Sequence, residues 1–216
     1  METGTWVEHG PFRFAFIPVT HSVPDATGIA FETPEGIVLH TGDFKLDPTP
    51  IDGVITDLQS FAGFGRRGVR LLLADSTNVE KPGHTRSEIE VGEAFNDIIP
   101  QCRGQVMVAT FSSNIHRIQQ VIDAAVASGR KVLVNGRSMV TNIAIARQLG
   151  YLQVPDDILI DLRDYPRLPR HRFGPCRLAL HLPQARSHLV LPRARLGQQV
   201  VEEVAAAVAG LVVLAA

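Results

Sequence analysis

Hydrophobic and polar residues alternate along the first part of the chain with the period of a β-strand. The stretch FRFAFIPV (residues 12–19) shows this alternation, and GIAFET (28–33) and GIVLHTG (36–42) read as two more short strands. The letters PEG between the last two are typical of a hairpin turn. RLLLAD (70–75) is a continuous apolar run, which predicts a buried strand that ends in Asp75. The first 86 residues therefore look all-strand, with loops that carry charge.

The rhythm changes after residue 86, where longer periodic segments alternate with short apolar runs. Helices are predicted over SEIEVGEAFNDII (87–99), SNIHRIQQVIDAAVASG (113–129) and SMVTNIAIARQLG (138–150). Ser87 and Glu90 have the spacing of a capping box at the start of the first helix. QVMVATF (105–111) and KVLVNG (131–136) are predicted as buried strands between these helices. Strand and helix in alternation with tight turns predict βαβ units and a parallel sheet.

The third part of the chain, residues 161–216, has a different character. Prolines recur every few residues between scattered arginines and histidines, and no clean period assigns an element between Tyr165 and Gln199. The stretch VVEEVAAAVAGLVVLAA (200–216) is predicted as a terminal helix. We therefore expect an irregular C-terminal tail.

Composition places the chain among globular proteins but excludes few functions. Of the 216 residues, 45% are hydrophobic and 20% are charged, and the formal net charge is -1. A balance near zero neither favours nor excludes nucleic acid, because a binding face can be basic while the rest is acidic. Cys102 and Cys176 have no zinc-finger spacing, which excludes a cysteine zinc site. No apolar run reaches membrane-spanning length and no secretory leader is evident, so the expectation is a cytoplasmic protein without membrane contact.

Two ionisable residues follow two predicted strands directly and form a candidate metal site. His21 comes after the strand at 12–19, and Asp43 comes after the strand at 36–42. If these strands are neighbours in one sheet, both side chains emerge from the same edge. An imidazole and a carboxylate at one edge suit zinc or manganese, and a carboxylate can bridge two such metals. The alternative is structural, with Asp43 closing a turn and His21 hydrogen-bonded beside Ser22.

Three further places carry candidate chemistry. Asp75 begins the letters DSTN at the end of a predicted strand, where a carboxylate can orient a site or simply close an Asx-turn. At the junction FSSNIHR, Ser113 and His116 lie at the predicted start of a helix, where free N–H groups favour anions. The junction GRSM repeats this layout with Arg137 and Ser138. The alternative for both junctions is ordinary helix capping, and neither contains a glycine fingerprint.

Taken together, THSVPD, HTGDFKLDPTPID, LLLADSTN, ATFSSNIHRIQQ, ASGRKV and GRSMV resemble ribonuclease J. Ribonuclease J belongs to the RNases of metallo-β-lactamase fold that carry an inserted β-CASP domain. The resemblance covers about residues 14–160, and several distinct strings occur in the order of the family.

The resemblance implies a hydrolase with two zinc ions that cleaves RNA phosphodiesters as a 5′-to-3′ exonuclease and as an endonuclease. It implies that His21 is a metal ligand, that Asp43 bridges the two metals, and that Asp75 orients the catalytic centre. It also implies that Ser113, His116, Arg137 and Ser138 face the RNA. The complete family enzyme is expected to form homo-oligomers.

The chain departs from the family pattern in two ways. The HxHxDH signature that precedes the THSVPD-like string in the family is absent from the first twenty residues, and the family's later strings are absent after residue 160. We therefore expect an incomplete metal site in a truncated, frame-shifted fragment that is nearly inactive. The expected fold is α/β: a partial αββα metallo-β-lactamase domain (1–86), a partial β-CASP parallel-sheet domain (87–160) and a divergent tail (161–216).

Two other readings remain open from the residues. The chain can be a non-catalytic module, built from residues 87–160, that binds RNA or pairs subunits. A Rossmann-like nucleotide binder is a further reading, against which the missing glycine fingerprint argues.

Overall fold

A computed structural model describes residues 5–102 and 105–160 with their side chains, and residues 177–181 and 212–215 as backbone strands. The fold is mixed α/β and divides into two compact units, Met1–Ser87 and Glu88–Ala216, which we call the first and the second unit. None of the described helices has the length and apolar character needed to cross a membrane.

One sheet of five strands organises the first unit. Its strands follow each other in chain order: β1 Trp6–His9, β2 Phe12–Pro18, β3 Thr27–Thr33, β4 Gly36–His40 and β5 Val69–Leu73. The first four are antiparallel neighbours, and β5 lies parallel to β4. The three strands predicted between residues 12 and 42 and their hairpin turn are confirmed, whereas β1 was not predicted.

A helix, α1 Leu58–Arg67, shows that the expectation of an all-strand first part was wrong. Asp57 caps its start by accepting a hydrogen bond from the backbone N–H of Ser60. Phe64 is buried and Phe61 partly buried against one face of the sheet. Two glycines within the helix lower its intrinsic propensity, so its stability depends on this packing, which a local pattern does not reveal.

Strand β5 corrects a second expectation. Leu71, Leu72 and Leu73 are 49%, 56% and 45% exposed, so the prediction that this apolar run is a buried strand was wrong for the described residues. Successive side chains of a strand point to opposite faces, and β5 has only β4 beside it in the sheet. A continuous apolar run therefore predicts the strand correctly, but it does not predict whether another element packs over the strand and buries it.

The second unit is built from strand–helix repeats. In chain order it contains α2 Glu88–Gln101, β6 Val106–Ala109, α3 Ile115–Ala127, β7 Lys131–Val134, α4 Arg137–Gln148, β8 Leu159–Ile160, β9 Arg177–His181 and β10 Val212–Ala215. Its sheet has the order β10-β6-β9-β7-β8, in which β10 alone is antiparallel to its neighbour. The predicted parallel pairing is confirmed for β6, β9, β7 and β8, whereas the antiparallel β10 makes the described sheet a mixed one.

Helix α3 shows why the sequence pattern succeeded in this unit. Ile118, Val121 and Ile122 have no exposed surface, as their 3–4 spacing predicts. They lie in one core cluster with buried residues of α2, α4 and the strands β6 and β7. The predicted buried strands at 105–111 and 131–136 are confirmed.

The tail is described only in part. Strand β9 lies within the stretch 165–199 to which no element was assigned. The terminal helix predicted over residues 200–216 was wrong for Val212–Ala215, which form a strand by pairing with β6. The rest of both stretches lies outside the described residues.

Candidate metal-binding edge and candidate RNA-binding edge

Three strands of the first unit end at the same edge of the sheet. Because β2 and β4 are both antiparallel to β3, they run in the same direction, and β5 is parallel to β4. The carboxyl ends of all three strands therefore meet at one edge, followed by His21, Asp43 and Asp75 respectively. The sequence argument assumed that the strands before His21 and Asp43 are neighbours, but β3 lies between them. Both residues still lie at one edge, because β2 and β4 run in the same direction.

His21 lies in the loop between β2 and β3, which the backbone bond from Val19 N–H to the carbonyl of Ala26 closes at 3.1 Å. The side chain of His21 is half-buried, and its Nδ1 accepts a hydrogen bond from the N–H of Val23 at 3.3 Å. Since Nδ1 is an acceptor here, the neutral ring carries its proton on Nε2. A metal at Nδ1 would displace this weak bond, and a metal at Nε2 would need the proton on Nδ1, which also ends the bond.

Asp43 follows a tight turn that requires glycine. Gly42 has a φ of +66°, and a Cβ there would lie 2.5 Å from the carbonyl oxygen of Thr27. The N–H of Gly42 donates to Nδ1 of His40 at 2.9 Å, so the exposed His40 supports the turn. The carboxylate of Asp43 is exposed and has no hydrogen bond or ion pair among the described residues. It is thus available to an external cation.

Asp75 is tied to the turn of Asp43 by both its backbone and its side chain. Its N–H donates to the hydroxyl of Thr41 at 3.0 Å, and its Oδ2 accepts from the N–H of Phe44 at 3.4 Å. The other oxygen, Oδ1, accepts from the hydroxyl and the N–H of Thr77 at 2.7 and 3.1 Å. Asp75 therefore forms the Asx-turn that was one reading of it, and it also holds the residue after Asp43.

The same hydrogen bonds lower the pKa of Asp75. The hydroxyl and then the N–H of Thr77 lower the pKa of Asp75 below its ordinary value of 3.8, the N–H of Phe44 adds to this, and the charge of His21 contributes last. Asp75 is accordingly an anion at neutral pH whose oxygens already accept hydrogen bonds. The hydrogen bonds of Asp75 suit a residue that orients the loop of Asp43.

The donor set of this edge fits part of a metal centre. An imidazole nitrogen and carboxylate oxygens are the ligands that zinc and manganese accept. Among the residues that the structure describes, however, no group of three or more His, Cys, Asp or Glu side chains lies close enough to hold a metal. The edge therefore offers ligands but, within the described ranges, not a full coordination shell.

Buried threonines that the sequence reasoning missed hold these loops. Thr20, Thr41 and Thr56 are 3%, 8% and 5% exposed. Thr41 binds Asp75, as described above, and Thr56 binds Thr20 through its hydroxyl at 2.9 Å. The available signal was the position of Thr20 and Thr41, which lie one and two residues before the candidate ligands at the strand ends.

The second unit has its own polar edge at the carboxyl ends of β6 and β7. Asn114 caps α3, and its Oδ1 accepts from the N–H of Arg117 at 3.0 Å. Ser113 is exposed and His116 is half-buried, one on each side of this cap. Ordinary capping thus explains Asn114 and leaves Ser113 at the surface beside the start of the helix.

The junction before α4 lies beside the junction before α3. Gly136, with a φ of +106°, precedes α4 and provides no side-chain cap, and Arg137 and Ser138 in the first turn are exposed. From the next turn, Nδ2 of Asn142 donates to the carbonyl oxygen of Ser112 at 2.9 Å, with its hydroxyl oxygen at 3.2 Å. The structure thereby brings together the two predicted junctions, and Asn142 is the link that sequence reasoning did not identify.

A buried ion pair fixes the first turn of α3. Arg117 and Glu88 have side chains that are 9% and 13% exposed, and Nη2 of Arg117 lies 2.9 Å from Oε1 and 3.0 Å from Oε2 of Glu88. Nε of Arg117 is 3.3 Å from Oε2. The guanidinium is therefore committed to α2 and is not available to an external anion.

Comparison with known proteins gives a consistent result. A family model described as "Ribonuclease J, beta-CASP domain" matches residues 103–174. Ribonuclease J of Corynebacterium glutamicum is 47% identical over 165 residues, and ribonuclease J of Thermus thermophilus is 49% identical over 161 residues. Ribonuclease J of Mycobacterium tuberculosis is 52% identical over 159 residues.

The aligned part is most of this chain but a minor part of its relatives. It covers 76%, 74% and 74% of this chain against 23%, 28% and 28% of the three relatives. The chain thus spans about a quarter of the length of the curated relatives it matches. A solved protein of unknown function from Enterococcus faecalis has a similar fold, with a TM-score of 0.55 over 86% of this chain and 45% of its own, at 13% identity.

Identity near one half over about 160 residues, together with the match of the β-CASP domain, confirms the resemblance that the sequence strings carry. Over the part that these comparisons align, the chain belongs to the ribonuclease J family.

Proposed function

We propose that the edge formed by His21, Asp43 and Asp75 is part of the active site of a metal-dependent ribonuclease that hydrolyses RNA phosphodiesters, as exonuclease and endonuclease. One observation carries this proposal: three loops at one sheet edge present an imidazole and two carboxylates, and Asp75 bonds the Thr41 hydroxyl before Asp43 and the Phe44 N–H after it. In this site His21 and Asp43 would hold the metals, with Asp43 as the ligand that the two share, and Asp75 would position Asp43.

The donors fit zinc and manganese alike, and we propose zinc because the chain resembles ribonuclease J. When bound, a pair of zinc ions would supply an activated hydroxide and stabilise the charge that develops on the phosphate. The residues of this chain would position the two ligands. Thr41 and Asp75 hold the turn that presents Asp43, and the loop closed at Val19 and Ala26 presents His21. We propose that the remaining ligands come from parts of the family enzyme outside the aligned quarter.

The open face of the first sheet supports a place in a larger αββα domain. Helix α1 covers one face, whereas Phe14, Phe31, Val38 and Leu71 stand opposite one another across four strands on the other face. The rings of Phe14 and Phe31 are 5.8 Å apart. A row of large apolar side chains on a sheet face favours packing against a second sheet. We propose that this face meets the other half of a metallo-β-lactamase sandwich.

The site is tested by zinc binding to the full chain and to the variants His21→Ala and Asp43→Asn. We expect weak zinc binding by the wild-type chain that both substitutions reduce further, and no cleavage of 5′-monophosphorylated RNA. If neither substitution changes the zinc affinity, the proposed site is overturned. About two tightly bound zinc ions with RNA cleavage would overturn the proposal that further ligands are needed.

A second candidate function rests on the second unit. The bond between Asn142 and Ser112 brings the exposed Arg137, Ser138 and Ser113 to neighbouring helix starts, an arrangement that favours phosphate. We propose that this edge contacts RNA, either within the ribonuclease or as a non-catalytic module. Binding of a single-stranded RNA that weakens with salt and with Arg137→Ala supports it. RNA binding that Arg137→Ala leaves unchanged contradicts it.

A further inference from the structure

A single buried hydroxyl joins the loop of His21 to the loop of Asp43. The Oγ1 of Thr56 accepts a hydrogen bond from the N–H of Thr20 at 2.9 Å and donates one to the carbonyl of Lys45 at 3.1 Å. Thr20 directly precedes His21, and Lys45 follows Asp43 by two residues. Both bonds span more than ten residues of sequence, so no local turn chemistry requires them.

Two further bonds make this junction a closed strap. The N–H of Lys45 donates directly to the carbonyl of Thr20 at 2.9 Å, and the hydroxyl of Thr20 donates to the carbonyl of Val54 at 2.8 Å. Thr20 and Thr56 are 3% and 5% exposed, so water does not readily replace these partners. We call Thr20, Lys45 and Thr56 the threonine strap.

The loop after Asp43 is also anchored on its far side. Asp47, whose side chain is 1% exposed, lies 3.2 Å from Nζ of Lys45. It accepts further hydrogen bonds from the N–H of Thr49 at 3.0 Å and from the hydroxyl of Ser87 at 3.1 Å. The loop of Asp43 is thus anchored at Asp47, and the loop of His21 is closed by the bond between Val19 and Ala26. The threonine strap sets the spacing between the two.

We propose that Thr56 is a positioning residue that fixes the spacing of His21 and Asp43 through the threonine strap. This inference rests on the proposed function for the statement that these two residues bind metal. A metal site requires its ligands at a defined separation, and polar groups behind the ligands typically change affinity by about 10- to 100-fold when removed. The hydroxyl of Thr56 has no route to the metal except through the two backbones that it joins.

The test uses the full chain with Thr56→Val, which keeps the shape but removes the hydroxyl, and Thr56→Ser, which keeps the hydroxyl. Thr110→Val is the matched control, because Thr110 is 1% exposed and its hydroxyl has no partner among the described residues. Amide hydrogen exchange is measured by residue. In Thr56→Val we expect exchange about tenfold faster at residues 20–23 and 42–46, with the centres of β2, β3 and β4 unchanged. Thr56→Ser and Thr110→Val should match the wild-type chain.

Zinc affinity, measured by competition with a chromophoric chelator, is the second readout. We expect Thr56→Val to weaken zinc binding by about 10-fold or more and Thr56→Ser to restore it. Unchanged exchange at the two loops, or faster exchange spread evenly over the sheet, overturns the strap. If the wild-type chain binds no zinc, the proposed metal site is overturned. The threonine strap is then tested by the hydrogen-exchange data alone.

Discussion

The second unit buries seventeen hydrophobic residues in one cluster of the described residues, whereas the first unit buries five. Helices α2, α3 and α4 close the core of the second unit, but α1 covers one face of the first sheet only. Polar bonds between distant loops are correspondingly prominent in the first unit, at Thr20, Thr41 and Thr56. The second unit is thus organised by its own core, whereas the first unit arranges a polar edge on a sheet whose second face no described helix covers.

The largest effect expected from this difference concerns core truncation. Phe95→Ala, at a residue that is 1% exposed, should lower the free energy of unfolding of the second unit by about 3–5 kcal/mol. Leu72→Ala, at a residue that is 56% exposed in β5, should change that of the first unit by less than about 0.5 kcal/mol. Urea unfolding followed by circular dichroism measures both. An equal loss from Leu72→Ala would mean that β5 is covered in solution, and the contrast would fail.

A smaller difference in unfolding free energy is expected between removing a buried ion pair in the second unit and removing exposed ion pairs in the first. Glu88→Gln leaves the buried guanidinium of Arg117 without its partner, so the second unit should lose about 3 kcal/mol of unfolding free energy. Glu32→Gln removes the pairs of Glu32 with Arg13 and Arg67, whose side chains are 48% and 51% exposed, and should cost less than about 1 kcal/mol. The double variant Glu88→Leu with Arg117→Met should lose less than Glu88→Gln does. A larger loss in the double variant would show that burial of this pair is not the cause.

The smallest effect concerns the start of α1. Asp57→Ala should reduce the unfolding free energy of the first unit by about 1 kcal/mol, and Asp57→Asn by less, because asparagine also caps helices. The hydroxyl of Ser60, and then its N–H, hold the pKa of Asp57 below its ordinary value of 3.8. This contribution is therefore present above pH 3.8 and is lost as the pH falls through the lower pKa of the folded state. Urea midpoints between pH 5 and about pH 2.5 should converge for wild type and Asp57→Ala; a constant gap would contradict this.

The sequence predicts the second unit better than the first unit. Helix α3 is recovered because its buried residues recur with a regular period within one segment. Helix α1 is missed because it has only ten residues and contains two glycines, which lower the helix propensity of the segment. The exposure of Leu72 is missed because an apolar run does not reveal whether a covering element is present.

The candidate site shows the same limit. Strand ends can be read locally, so the sequence places His21 and Asp43 after their strands and Asp75 after a third. The bonds that organise them are not local: Thr20 and Thr56 are 36 residues apart, and Asp75 and Phe44 are 31 apart. Asn142, which links the two junctions of the second unit, is missed for the same reason, since its partner Ser112 is 30 residues away.

The most direct test of the metal-binding edge is titration of the isotope-labelled chain with Mn²⁺, followed by paramagnetic broadening of its amide signals. Even a weak site broadens the signals of nearby residues first. We predict that residues 20–23, 42–45 and 75–77 broaden at the lowest Mn²⁺ concentrations in the wild-type chain, and that Asp43→Asn abolishes this preference. Broadening that begins elsewhere, or that Asp43→Asn leaves unchanged, would contradict a metal site at this edge.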